Sequence, residues 1–118
     1  MNLLVNELHC SITDKMNEIK DKLRQLLDLF CSSNENYRVN QIETALAGSD
    51  DDLKAYIISN ELWGGAGSIA DQALIETPES RRRVEEILAE LGEIQIKKGV
   101  VNVRTEMWTS AFRQWQRQ

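Results

Sequence analysis

Apolar residues return at intervals of three and four over most of this chain, and the first such run is the longest. Leu4, Leu8, Ile12, Met16, Ile19, Leu23, Leu26, Leu27 and Phe30 share one face. That face spans about 140° at 100° per residue. Asp14, Glu18, Asp21, Gln25 and Asp28 fall opposite, so one long amphipathic helix is expected over residues 3–30. "CSSNEN" then supplies side chains that bond to their own backbone and interrupt a helix. A second helix near 36–47 presents Tyr37, Ile42, Ala45 and Leu46, with Gly48 at its C-terminal cap. Ser49 or Asp50 caps a third, which carries acidic residues in its first turn and turns Leu53, Tyr56, Ile57 and Leu62 inward.

Periodicity fails at "SNELWGGAGSIADQA", residues 59–73, where Gly64, Gly65 and Gly67 follow Trp63. It resumes after "TPES", with Thr77 as N-cap and Pro78 at the first helical position. This fourth helix reaches Lys98 with a stripe of Val84, Ile87, Leu88, Leu91 and Ile94, and Gly99 ends it. Asn102 is the expected N-cap of a last helix bearing Met107, Trp108, Ala111, Phe112 and Trp115. Only "GVVNV" reads as a strand, and it has no partner. The expectation is an all-α single domain over 1–118, a compact bundle or irregular array of about five helices with one glycine-rich loop.

A chain of 118 residues is long enough to bury a core without metal or disulfide support. No apolar run approaches the roughly 20 residues of a membrane span. "MNLLVNELHC" lacks a basic segment ahead of a long apolar core, so no signal peptide is expected and the cytoplasm is the default location. Cys10 and Cys31 are expected as reduced, core-edge thiols, because 21 helical residues put them roughly 30 Å apart. The net charge is −5, unevenly spread: residues 1–80 carry 6 basic and 14 acidic side chains, residues 81–118 carry 8 and 5. That balance argues against nucleic acid as a partner. The "RRR" run at 81–83 reads as a solvated face paired with Glu85 and Glu86.

Few catalytic templates find their parts. His9 is the single histidine, which disfavours zinc sites and Cys–His triads. No cofactor is implied. "GGAGS" lacks the spacing and lysine of a P-loop, and Gly65-x-Gly67 is followed by Ala70 where a dinucleotide loop needs glycine. A sharp chain reversal is the simpler use of these glycines, with anion capture at a helix start near Ser68 as the alternative. Two polar positions stand out. With Val103 at zero, Met107, Ala111, Trp115 and Trp108 fall at about 40°, 80°, 120° and 140°, and Arg104 lies among them at about 100°. A guanidinium there needs an anion or an aromatic face. Glu61 and Asp71, flanking the glycine loop, are the candidate anions, with Trp63 and Trp108 packing beside them. Snorkelling to water is the competing outcome. Gln95, inside an apolar stripe, is expected to make a buried hydrogen bond.

"SNELWGGAGSIADQA" and "LGEIQIKKGVVNVRTEMWTSAFRQW" together resemble a family of small bacterial proteins defined as a domain of unknown function. The resemblance covers roughly the second half of the chain. It implies that the loop and last helix form one unit and brings no activity, ligand or residue role. The function expected first is a cytoplasmic protein-interaction module, immunity-like or an adaptor, whose acidic face meets a basic partner, with homodimerisation through the first helix also open. The alternative is a small-anion or ligand-binding domain built on Glu61, Trp63, Gly64, Gly65, Gly67, Asp71, Arg104 and Trp108. An enzyme using Glu61 or Asp71 as general base is a third class.

Overall fold

A computed structural model describes residues 3–32, 36–64, 68–70 and 78–117, with side chains from Met16 onward in the first helix and from Glu79 in the fifth. The described residues form helices and turns, with no strand at 99–103. The elements are α1 (Leu3–Ser32), α2 (Asn36–Ala47), α3 (Asp50–Ile57), the single turn α4 (Asn60–Trp63), α5 (Pro78–Lys98) and α6 (Thr105–Gln116). The expected third helix is therefore two pieces, broken at Ile58–Ser59. The Thr77 cap, Asp71, Gly65 and Gly67 lie outside the described residues, as do the side chains of Leu4, Leu8, His9, Cys10 and Ile12. None of the described helices is long and apolar enough to cross a membrane.

The stripe of α1 buries Met16, Ile19, Leu23, Leu26 and Phe30, and both α2 and α5 pack against this helix. Ion pairs Lys98–Glu18 (3.6 Å) and Lys22–Glu90 (2.8 Å) fix α1 and α5 as antiparallel neighbours. Val84, Ile87, Leu88 and Leu91 fill the α5 side, with Ala89 also fully covered. α2 contributes Ile42 and Ala45. Tyr37, expected inward, is 66% exposed. Five residues of helical rotation carry it about 140° from Ile42, onto the outer side. Cys31 is a free, exposed thiol rather than a core-edge one, since Phe30 beside it takes the inward position.

Ser49 starts α3 with a complete capping box. Its Oγ accepts from Asp52 N and its own N–H donates to Asp52 Oδ2, both at 3.1 Å. Two orphan amides of the helix start are thereby satisfied together. At the other end of the chain, α5 reverses through Gly99, whose φ of +72° favours glycine, into α6.

The α5–α6 crossing sets the rotation of the last helix. At Gly92 the helices come so close that a Cβ would overlap Thr109 Oγ1. Thr105 and Thr109 therefore occupy the inner face together with Phe112, and Trp108 is half-buried. The expected inward residues Met107 (56% exposed) and Trp115 (47%) are left outside. The apolar arc read from the sequence is genuine, but α5 covers only its Phe112 edge. Gly92→Ala should destabilise the fold by about 1–3 kcal/mol, the usual range for an overpacked contact. The Thr109→Ala change should recover part of that loss. Urea denaturation of both single variants and the double variant measures the coupling.

Candidate functional site

Trp63 is completely buried, and its surroundings explain the break between α3 and α4. A helix end leaves its last carbonyls without partners. Here two side chains from distant segments supply them. Gln95 Nε2 donates to Ile57 O and to Val100 O, 2.9 Å each, while its Oε1 accepts from Trp63 Nε1 at 3.0 Å. Asn102 Nδ2 donates to Ile58 O (2.8 Å) and to Asn60 Oδ1 (3.0 Å). The buried Gln95 of the sequence reading thus makes three hydrogen bonds, and one of them holds the loop tryptophan.

The segment after Trp63 folds back on α4. Gly64 N donates to Asn60 O, and a Cβ on Gly64 would overlap that same oxygen, so the close approach needs glycine. Ser68 Oγ donates to Gly64 O, and Ile69 N and Ala70 N donate to Glu61 O and Leu62 O. Ile69 and Ala70 are buried. At its described residues this is a packed reversal closed by its own backbone.

The sequence-derived cluster separates accordingly. Trp63 and Gly64 belong to the interior. The Glu61 side chain points outward. Arg104 is also exposed, and its guanidinium makes no ion pair or hydrogen bond with a described residue, so the expected bond to Glu61 is not formed. The physical reason is that α6 begins at Thr105. Asn102 Oδ1 accepts from Arg104 N (2.9 Å), and Asn102 N donates to Thr105 Oγ1 (2.9 Å), a side-chain turn that places Arg104 before the helix. The 100° period therefore does not apply to it. Trp108 stacks on Phe112 with ring centroids 5.6 Å apart, and Phe112 meets Trp115 edge-on at 5.7 Å. Among the described residues, amides of Gln95 and Asn102 make the link between the α3–α4 segment and the chain before the last helix; the alternative partner of Arg104, Asp71, lies outside the described residues.

Two surfaces were not legible from motifs. One is the outer flank of α6, where exposed Met107 and Trp115 share a face with Ala111, and Val103 (94% exposed) lies in the turn before the helix. Its signal was the width of the apolar arc, which one neighbouring helix cannot cover. The other is a cleft of about 880 Å³ between α2 and α3, lined by Tyr37, Gln41, Thr44, Gly48, Asp52 and Tyr56 among others. The Tyr56 hydroxyl is buried there without a hydrogen-bond partner among the described residues. Burial pushes its pKa well above the ordinary tyrosine value, with nearby Glu61 and Tyr37 adding to the rise and Arg38 opposing it. The phenol is therefore neutral throughout the physiological range.

No family model, curated protein or solved structure matches the chain. Among the described residues, no group of three His, Cys, Asp or Glu side chains is placed to hold a metal ion.

Two experiments follow from this geometry. Gln95→Leu strands the Trp63 indole and two carbonyls, each costing about 1–3 kcal/mol when left buried and unpaired. It should lower stability by at least about 2 kcal/mol, whereas Arg104→Ala should stay within about 0.5 kcal/mol, as for exposed positions. Equal losses in urea titrations would contradict this assignment. Alkaline titration probes Tyr56. Its folded pKa is raised, so its contribution is intact below the unfolded value near 10 and is lost as pH climbs above that value. The Tyr56→Phe variant should show a shallower fall of melting temperature above about pH 10 than the parent chain.

Proposed function

We propose that this chain is a small cytoplasmic protein-interaction module, of the immunity-like or adaptor kind. The observation that carries the reading is the uncovered flank of α6. Exposed Met107 and Trp115 share one face of a helix packed against α5, and exposed Val103 lies in the turn before it. Trp115 is braced edge-on by Phe112, so presenting it costs little ordering on binding. Aromatic and methionine side chains of this kind are typical anchors of protein interfaces.

The acidic half supplies the second element. Glu43, Asp50, Asp51 and Glu61 are exposed on α2, α3 and α4. Such a face favours approach by a basic surface and speeds its encounter. In this reading the acidic face selects and orients the partner, and the α6 flank provides the burial that retains it.

The test is affinity capture with the full chain, followed by a stoichiometry measurement on the recovered complex. The parent chain should hold one partner in a fixed ratio. The double variant Met107→Ser with Trp115→Ser should lose it at unchanged melting temperature. Asp50→Lys with Asp51→Lys should slow association and reduce its salt dependence. Capture that is indifferent to both variants would end the proposal.

A further inference from the structure

We propose that the cleft between α2 and α3 is a receptor for an arginine side chain of the basic partner; the inference rests on the interaction-module reading and names the chemistry of its acidic face. Four observations converge. First, the cleft has the volume for a side chain, about 880 Å³, and none of its lining residues is basic. Second, the lining holds two phenol rings, Tyr37 and Tyr56, and guanidinium groups stack on such faces. Tyr37 is 66% exposed, an outlay of aromatic surface that the fold itself does not use.

Third, the one carboxylate in the lining is held in place. Asp52 Oδ2 is occupied by the Ser49 amide at 3.1 Å, which fixes the group while Oδ1 has no hydrogen bond to a described residue. Gly48 permits this: a Cβ there would sit 2.8 Å from Asp52 Oδ2 and press on the carboxylate. A pre-oriented carboxylate loses little freedom when it accepts from a guanidinium. Fourth, the further acceptors around it are neutral oxygens. Tyr37 Oη already accepts from Gln41 Nε2 (2.9 Å), and the Thr44 hydroxyl donates to Asn40 O (2.8 Å), which leaves the Thr44 oxygen free to accept. The Tyr56 hydroxyl, itself buried, has no hydrogen-bond partner among the described residues. A carboxylate anchor, aromatic walls and spare oxygen acceptors suit a planar, multi-donor cation. Glu43, Asp51 and Asp50, the last 3.8 Å from Lys20, outnumber Arg38 and Lys54 on the same two helices and add a field of the right sign. Arg38 bears on Tyr56 from outside the lining, and it is the one opposing charge on α2.

The experiment titrates the isotope-labelled full chain with N-acetyl-arginine amide, with its citrulline analogue and with N-acetyl-lysine amide, following backbone resonances. Saturable shifts confined to α2 and α3 are expected for arginine. Citrulline should bind about three- to thirty-fold more weakly, the range that a cation–aromatic contact supplies, and lysine should lie between the two. Tyr37→Ala removes an exposed ring and leaves the core intact; Asp52→Asn keeps the acceptor for Ser49. Each should weaken arginine binding several-fold at unchanged melting temperature. Equal binding of citrulline, equal binding of lysine, or shifts that map elsewhere would overturn the assignment. Partner capture that persists in both cleft variants but is lost in the α6 variant would remove the cleft and leave the module. Arginine binding without any partner dependence on α6 would do the reverse.

Discussion

The fold depends on how the C-terminus of α3 is satisfied. A helix of eight residues leaves its last carbonyls without partners inside the helix. Gln95 and Asn102 meet that need from α5 and from the segment before α6, and Gln95 also accepts the Trp63 indole. One buried amide thereby ties three pieces of chain: the end of α3, the one-turn α4 and the reversal after α5. Leu53, Ile57 and Leu62 are buried as a consequence of that tie, because α3 and α4 are too short to hold a helical conformation by propensity alone.

The second constraint is steric. Gly92 and Thr109 allow α5 and α6 to approach until no Cβ fits between them. Close approach fixes rotation, and the rotation chosen puts Thr105 and Thr109 inside at the expense of Met107 and Trp115. Burial was thus exchanged for proximity, and the surplus apolar surface faces outward. Between α2 and α3 the same economy appears in polar form. Gly48 lets the capping carboxylate of Asp52 lie flat against the chain, which shapes the cleft between α2 and α3.

Much of this was readable in the residues. The α1 stripe from Met16 to Phe30, the α5 stripe from Val84 to Leu91, a cap at Ser49 or Asp50 and the buried bond of Gln95 all followed from period and polarity, and the structure takes Ser49. Their signals are local, so one sequence contains them. The errors have a common origin in contacts between distant segments. Arg104 looked inward because the 100° period was extended one residue before the helix, where the Asn102 turn had already redirected the chain. Tyr37 looked inward because aromatic character outweighed its angular position. α6 was given the centre of its apolar arc as a buried face, and the close approach at Gly92 of the partner helix turns the buried face about 120° away from it. The loop tryptophan suggested a binding site, and its occupant turned out to be a glutamine 32 residues later.

The ties that hold α3 and α4 span 32 to 44 residues of sequence, whereas α1 with α2 and α5 with α6 are hairpins of near neighbours. Closing a long loop costs entropy before any contact repays it. The two hairpins can therefore assemble by themselves, and the middle segment is secured only when both ends of the Gln95 and Asn102 bonds are in place. Such a segment is the natural seam of the molecule. Opened, it would release Trp63 together with α3 and α4 while α5 and α6 stay paired, so local opening of the middle segment is separable from the rest of the fold.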